Sequence, residues 1–222
     1  MGFYAEMRQE TDHLFEAIFR HPLVVELTNG TLPEEKWAYY LCQDYQYLRD
    51  FKQALGLALF RLETPREIFD WIERIAGLAD LEAQRHLTWA KMLGLSEERM
   101  LAAEPDPVAL GYRQHTLLAA HRSLGELLAA QLPCPATYME IADRAADRVP
   151  DHPIYGEWVR SYSSRLNRVV AERRPWWFET LDRLAEAASP QERAQMRVNF
   201  VRSCKYEWMF WDMAYKMAGW PV

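Results

Sequence analysis

The sequence predicts an all-α protein, a single-domain helical bundle over residues 1–222, and three observations carry that expectation. Glycine is scarce, 9 in 222 residues, and no Asp-Gly or Gly-Gly pair offers a tight hairpin. Ala, Leu, Glu and Arg, which enter helices at little entropic cost, dominate long stretches. Helix-start signals recur at intervals that divide the chain into helices of ordinary length.

Taken in order, a first helix is expected near 4–20. Thr31 with Glu34 three residues on is a capping-box pattern for a helix near 34–62, and Thr64-Pro65 with Glu67 repeats it for 65–94, with proline at the first helical position. Asp106-Pro107 is a simpler start for 107–130. Pro135 fits the first position of 135–148, and helices near 153–172 and 175–188 follow. Ser189-Pro190 with Glu192 opens the last, 190–218. Connections are short, no Pro/Ser-rich linker intervenes and no repeat has a fixed period, so one bundle is expected.

The formal charge of −6, with no run of Lys and Arg interleaved with aromatics, argues against a nucleic-acid binder and for small substrates or protein partners. The three cysteines, Cys42, Cys134 and Cys204, have neither a disulfide framework nor zinc-ligand spacing and suit a reducing compartment. No segment is apolar enough to span a membrane, the N-terminus MGFYAEMRQETDHLF lacks a signal-peptide core, and Glu6 stands where myristoylation of Gly2 needs Ser or Thr. A soluble cytoplasmic protein is expected.

Turning ~100° per residue places each helix's charges. In the helix after Pro33, Trp37, Tyr40, Leu41, Tyr47, Leu48, Phe51 and Leu55 share a face, with Glu35, Gln46, Arg49 and Gln53 opposite; Asp44 falls inside the apolar face. In the last helix Phe200, Val201, Cys204, Trp208, Trp211, Ala214, Tyr215 and Ala218 form the apolar arc, and Glu207 lies within it. The face made by Ile68, Trp71, Ile75, Leu78, Trp89 and Leu93 also holds Glu82 and His86, four residues apart. An unpaired buried carboxylate costs several kcal/mol, so acids on three core faces imply either a polar cavity lined by aromatics or a hydrogen-bonded network that sets helix register.

Cys134 is framed by prolines in LPCPATY, residues 132–138. With Pro135 at the first helical position, Cys134 is the N-cap, where unpaired N–H groups and the helix dipole favour a thiolate. A small buried packing cysteine fits the same segment.

The stretches HPLVVELTNGTLPEEKWAYYLCQDYQYL, LPCPATYMEIA, HPIYGEWVRSYSS and NFVRSCKYEWMFWDMAY stand in the order and spacing of the TenA family, the thiaminase II or aminopyrimidine aminohydrolase group, and the chain resembles its cysteine-containing branch from about residue 10 to residue 220. The resemblance implies a haem-oxygenase-like fold without haem or other cofactor or metal, a homotetramer, and hydrolysis of 4-amino-5-aminomethyl-2-methylpyrimidine, or of thiamin, to hydroxymethylpyrimidine in thiamin salvage. It implies Cys134 as nucleophile, Glu207 as proton donor, Asp44 as the acid holding the pyrimidine amino group and activating the thiol, Tyr47 and Tyr112 as hydroxyls near the site, and Tyr138 and Tyr162 as substrate-binding tyrosines. The family commonly has Trp two residues after the cysteine; Ala136 stands here, and a wider pocket is expected. By their own chemistry the residue types permit addition of a thiolate to an electron-poor ring while a desolvated carboxyl protonates a ring nitrogen. Two alternatives remain at this level. One is a di-iron oxidase with Glu82 and His86 as a metal pair, against which the pair reads as a structural hydrogen bond; the other is a regulatory protein that only binds a ligand.

Overall fold

In the computed structural model, which describes the backbone of residues 1–222 and every side chain except those of residues 74 and 77–81, the described residues form twelve α-helices and no strand. They are α1 Phe3–Glu10, α2 Asp12–Phe19, α3 Pro22–Asn29, α4 Glu34–Ala58, α5 Pro65–Met92, α6 Glu97–Ala102, α7 Pro107–Arg122, α8 Leu124–Gln131, α9 Pro133–Ala145, α10 Tyr155–Tyr162, α11 Arg168–Ala187 and α12 Pro190–Lys216. Leu78 of the expected α5 face lies outside the described side chains.

The capping box at Thr64 forms in full, with Thr64 Oγ1 accepting from the Glu67 N–H and Glu67 Oε2 from the Thr64 N–H. Ser189 and Asp106 cap α12 and α7 as expected. Thr31 does not cap: α4 starts at Glu34 behind Pro33, which carries no side-chain cap. Three expected helices break. Thr11 turns its hydroxyl back onto the Met7 carbonyl and divides 4–20 into α1 and α2. Ser123, extended at φ −147°, caps α8 through the Glu126 N–H and ends α7. Ser163, extended, ends α10, and Asn167 caps α11, which divides the expected 153–172. α3 and α6 stand where loops were expected, the first capped by His21 Nδ1 and the second by Ser96 Oγ. Asn29-Gly30, by composition a hairpin signal, instead ends α3 with Gly30 left-handed at φ 78°. Conversely, α11 begins at Arg168, capped by Asn167, and passes through Pro175 rather than starting there.

α12 is the spine of the bundle, packing against α2, α3, α4, α7, α8 and α9. Two apolar cores share it. One gathers Trp37, Tyr40, Trp89, Tyr155, Trp158 and Trp211; the other gathers Phe3, Met7, Phe15, Leu128, Leu181 and Phe200. Leu48 and Tyr138 from the first core and Leu55, Leu128 and Leu132 from the second line a common cavity of about 140 Å³, which therefore lies at the seam between them.

The α4 face is wider than its sequence pattern. Gln46, expected outside, is buried and donates to the Met100 and Ala103 carbonyls, and Asp50 is buried on the Arg113 guanidinium at 2.5 Å, because α6 and α7 cover that side. The α12 arc is rotated from the expected one: Phe210 and Met213 are buried, whereas Trp208 is 36% exposed and Tyr215 half-buried. Glu207 stays buried in either phase.

Candidate active site

Asp44 projects from the middle of α4, 4% exposed. Its Oδ2 lies 2.6 Å from His86 Nε2, and His86 Nδ1 lies 2.8 Å from the Glu82 backbone carbonyl. Glu82 and His86 are thus joined, as the sequence spacing suggests, but through the carbonyl of the helical turn rather than the carboxylate. Both imidazole nitrogens are engaged, and neither is left for a metal. Burial pulls the His86 pKa down, but the hydrogen bond and charge of Asp44 outweigh it and hold the imidazole above its ordinary 6.5. This buried contact ties α4 to α5. The Glu82 carboxyl faces the cavity, and burial raises its pKa while Lys52 opposes the rise.

Cys134 is the second residue of α9, not its N-cap: Pro133 occupies the first position and Leu132 the cap. Pro135 sits in the same turn, so the Pro-Cys-Pro frame delivers the sulfur from inside the first turn. The remaining accessible surface of Cys134 opens on the cavity. The surroundings disfavour the expected thiolate. Burial pushes the thiol well above its ordinary pKa of 9.0, the charges of Glu207, Asp44 and Glu82 push the same way, and Tyr47 only partly offsets them. Desolvation with three nearby acids outweighs one helix terminus.

Glu207, 3% exposed, stands on α12 behind the cavity wall. Tyr112 of α7 donates to its Oε1 at 2.7 Å, and Thr137 Oγ1 lies 3.1 Å from its Oε2. Thr137 Oγ1 is also 2.9 Å from the Cys134 carbonyl. A hydroxyl has one proton. If Thr137 spends it on the carbonyl, the second contact requires a proton on Glu207, which agrees with burial raising that carboxyl from 4.5 to about 7 against the two hydrogen bonds.

Five tyrosines complete the surroundings. Tyr138 of α9 and Tyr162 of α10 meet edge to face with ring centroids 5.4 Å apart, and Tyr138 shares a 2.6 Å hydroxyl contact with Tyr40. Tyr47 and Tyr112 stack obliquely at 5.0 Å. The Tyr47 hydroxyl is close enough to the Cys134 sulfur to lower its pKa, yet it is buried without a hydrogen-bond partner among the described residues. Burial keeps all five phenols well above 10.0, so they act as neutral donors.

The seven expected site residues converge. Asp44, Cys134, Tyr138 and Tyr162 line the cavity, and Tyr47, Tyr112 and Glu207 stand behind the sulfur. Ala136 does not belong with them: two residues from Cys134 is ~200° around a helix, so it is buried in the second core and does not line the cavity. Sequence reasoning missed His86 as the partner of Asp44 and Thr137 as the partner of Glu207. The Glu82/His86 spacing flagged the imidazole without revealing its contact across the bundle.

A family model described as TENA/THI-4/PQQC family matches residues 8–217. An aminopyrimidine aminohydrolase of Bacillus subtilis is 34% identical over 224 residues, covering 99% of this chain and 92% of the relative. Among solved structures, a TenA homologue protein from P. horikoshii is 29% identical with a TM-score of 0.87, over 98% of this chain and 100% of that one. A Shewanella denitrificans domain with a heme oxygenase-like fold, 14% identical, shares the fold with a TM-score of 0.74 over 96% of this chain and 92% of that one.

Proposed function

We propose that this chain, which belongs to the TENA/THI-4/PQQC family, is an aminopyrimidine aminohydrolase of thiamin salvage. It hydrolyses 4-amino-5-aminomethyl-2-methylpyrimidine, and thiamin where that is offered, to hydroxymethylpyrimidine. The observation that carries the reading is one cavity bordered by a thiol and an acid held by imidazole, with a carboxyl of pKa about 7 buried behind it. Such a carboxyl is a proton donor near neutral pH.

Asp44, held in place by His86, accepts from the exocyclic amine of the ring and orients it between Tyr138 and Tyr162. Cys134 rests as a thiol. It gives up its proton, to the Asp44 carboxylate, only as it adds to the electron-poor ring, when Glu207 protonates a ring nitrogen and the Tyr47 hydroxyl turns to the developing negative sulfur. The dearomatised adduct expels the amine from the methylene, carrying away the C–N electron pair and a proton. Water then adds at the methylene, its excess proton restores the acid on Glu207, and the sulfur departs, taking its proton back from Asp44, as the ring regains aromaticity. The net change is one water in, ammonia and hydroxymethylpyrimidine out. Neither a cofactor nor a metal enters this scheme.

We place the protein in the cytoplasm as a homotetramer of one-domain subunits, without nucleic-acid or membrane partners. No helix among the described residues is long and apolar enough to cross a membrane. The apolar patch of Leu57, Phe60, Phe69 and Ile72 at the α4–α5 turn, with Phe60 95% exposed, supports self-association. Light scattering after size exclusion reads the assembly. The activity is tested by mass spectrometry of products from the aminomethyl compound and thiamin side by side. Hydroxymethylpyrimidine from wild type and none from Cys134→Ser is expected; equal release from both would remove the thiol from the reaction.

A further inference from the structure

The cavity is longer than the aminomethyl compound requires. Asp44, Leu48, Phe51, Lys52 and Leu55 all line it from α4. Eleven residues at ~1.5 Å each carry it about 16 Å along that helix, well beyond a pyrimidine with a one-carbon arm. The reactive groups occupy the Asp44 end. Opposite runs α11, whose start is fixed beside Tyr162 by Asn167 Nδ2 donating to the Ser161 carbonyl at 3.0 Å. Arg173 faces the cavity from six residues further on, about 9 Å outward along the helix.

The charges lining the cavity are uneven. Lys52, Arg85, Arg173 and Arg174 line the cavity together with Asp44 and Glu82. Asp44 is taken by His86, Lys52 acts on Glu82, Arg85 reaches Glu157 at 4.0 Å, and Arg174 stands 3.6 Å from Asp143. Arg173 Nη1 is buried with no hydrogen-bond partner among the described residues. Gln131, 1% exposed and also lining the cavity, gives its amide N–H to the Phe51 carbonyl and leaves Oε1 without a donor. A guanidinium offers donors only, in a fork that matches the paired oxygens of a carboxylate or phosphate. A leaving group that is merely cationic, such as a thiazolium, leaves those donors unanswered.

We propose that the outer half of the cavity is a leaving-group subsite in which Arg173 receives an anionic oxygen group, carboxylate or phosphate, while Gln131 Oε1 accepts an N–H or O–H from the arm that carries it. The proposal rests on the aminopyrimidine reading of the site and adds the chemistry of the departing group. The bond broken is still that between methylene and nitrogen, with water replacing the amine. Arg173 is a specificity residue and touches none of the reacting atoms.

Binding to the Cys134→Ser protein, measured by titration calorimetry, tests it without turnover. The probes are the aminomethyl compound, its N-succinyl derivative, thiamin and thiamin monophosphate. At least one anionic probe is expected to bind roughly 10- to 100-fold tighter than its counterpart without the anionic group, the scale of a charge-assisted hydrogen bond. Which of the two gains identifies carboxylate or phosphate. The gain should vanish in Arg173→Gln, shrink in Arg173→Lys, and leave the aminomethyl compound's affinity unchanged in both. Binding of the aminomethyl compound with no gain for either anion, or a gain that survives Arg173→Gln, overturns the subsite alone. Failure of every probe to bind overturns the aminopyrimidine reading with it.

Discussion

Glu207→Gln should make the protein more stable in alkali as it removes the activity. The carboxyl is buried among Tyr112, Thr137 and the Cys134 wall, and its pKa moves from 4.5 to about 7. The folded state therefore keeps a proton that the unfolded chain has already released. Stability falls as pH rises through that window and levels off above it; the ionised folded form is penalised by about 3 kcal/mol. Glutamine has no proton to lose and keeps an amide oxygen to accept from Tyr112. Urea unfolding of both proteins, followed by circular dichroism from pH 4.5 to 8.5, should show the variant gaining roughly 3 kcal/mol on wild type across the series, because every other titration cancels in the difference. Turnover should fall by about two orders of magnitude or more with substrate affinity retained, as loss of a general acid requires. A stability difference independent of pH, or a wild type that gains on the variant as pH rises, would refute the buried protonated carboxyl and with it the proposed donor.

Cys134→Ser should leave the fold intact and end turnover; iodoacetamide should modify wild-type Cys134 more slowly than a solvent thiol, since burial holds the sulfur protonated. Rapid alkylation at neutral pH would contradict that environment. His86→Leu strands Asp44 in the interior, and chemical denaturation should register a loss of about 3–5 kcal/mol; a loss under 1 kcal/mol would mean that Asp44 finds another partner. Ala136→Trp should lower the melting temperature through overpacking worth about 1–3 kcal/mol and leave the ratio of aminomethyl compound to thiamin turnover unchanged. A shifted ratio in a stable variant would return Ala136 to the cavity wall.

The helical class and most long helices were legible because their signals are local. Thr64, Asp106 and Ser189 cap through atoms two or three residues away. The three acids on apolar faces were legible for the same reason, since phase is a property of one helix. What escaped depends on neighbours. Ser123 with Glu126 is a start signal hidden inside an apolar run, and His21 caps α3 with a ring nitrogen that caps rarely use. Gln46 looks like part of a solvent face until α6 covers it. The tertiary bonds of His86 and Thr137 leave no periodicity. The thiolate expectation failed on a sum: the N-terminal turn is visible locally, whereas the three opposing acids come from other helices.

Because the cavity lies at the seam of two apolar cores, a ligand filling it becomes packing material for both. The aromatic and aliphatic wall that faces the space lacks dispersion partners on that side, and only α4, α12 and their neighbours bridge the halves. Occupancy therefore adds contacts to both cores at once. At 100 times its dissociation constant a ligand adds about 2.7 kcal/mol, and here that gain is shared across the seam. The substrate is, in this sense, a missing part of the protein's interior.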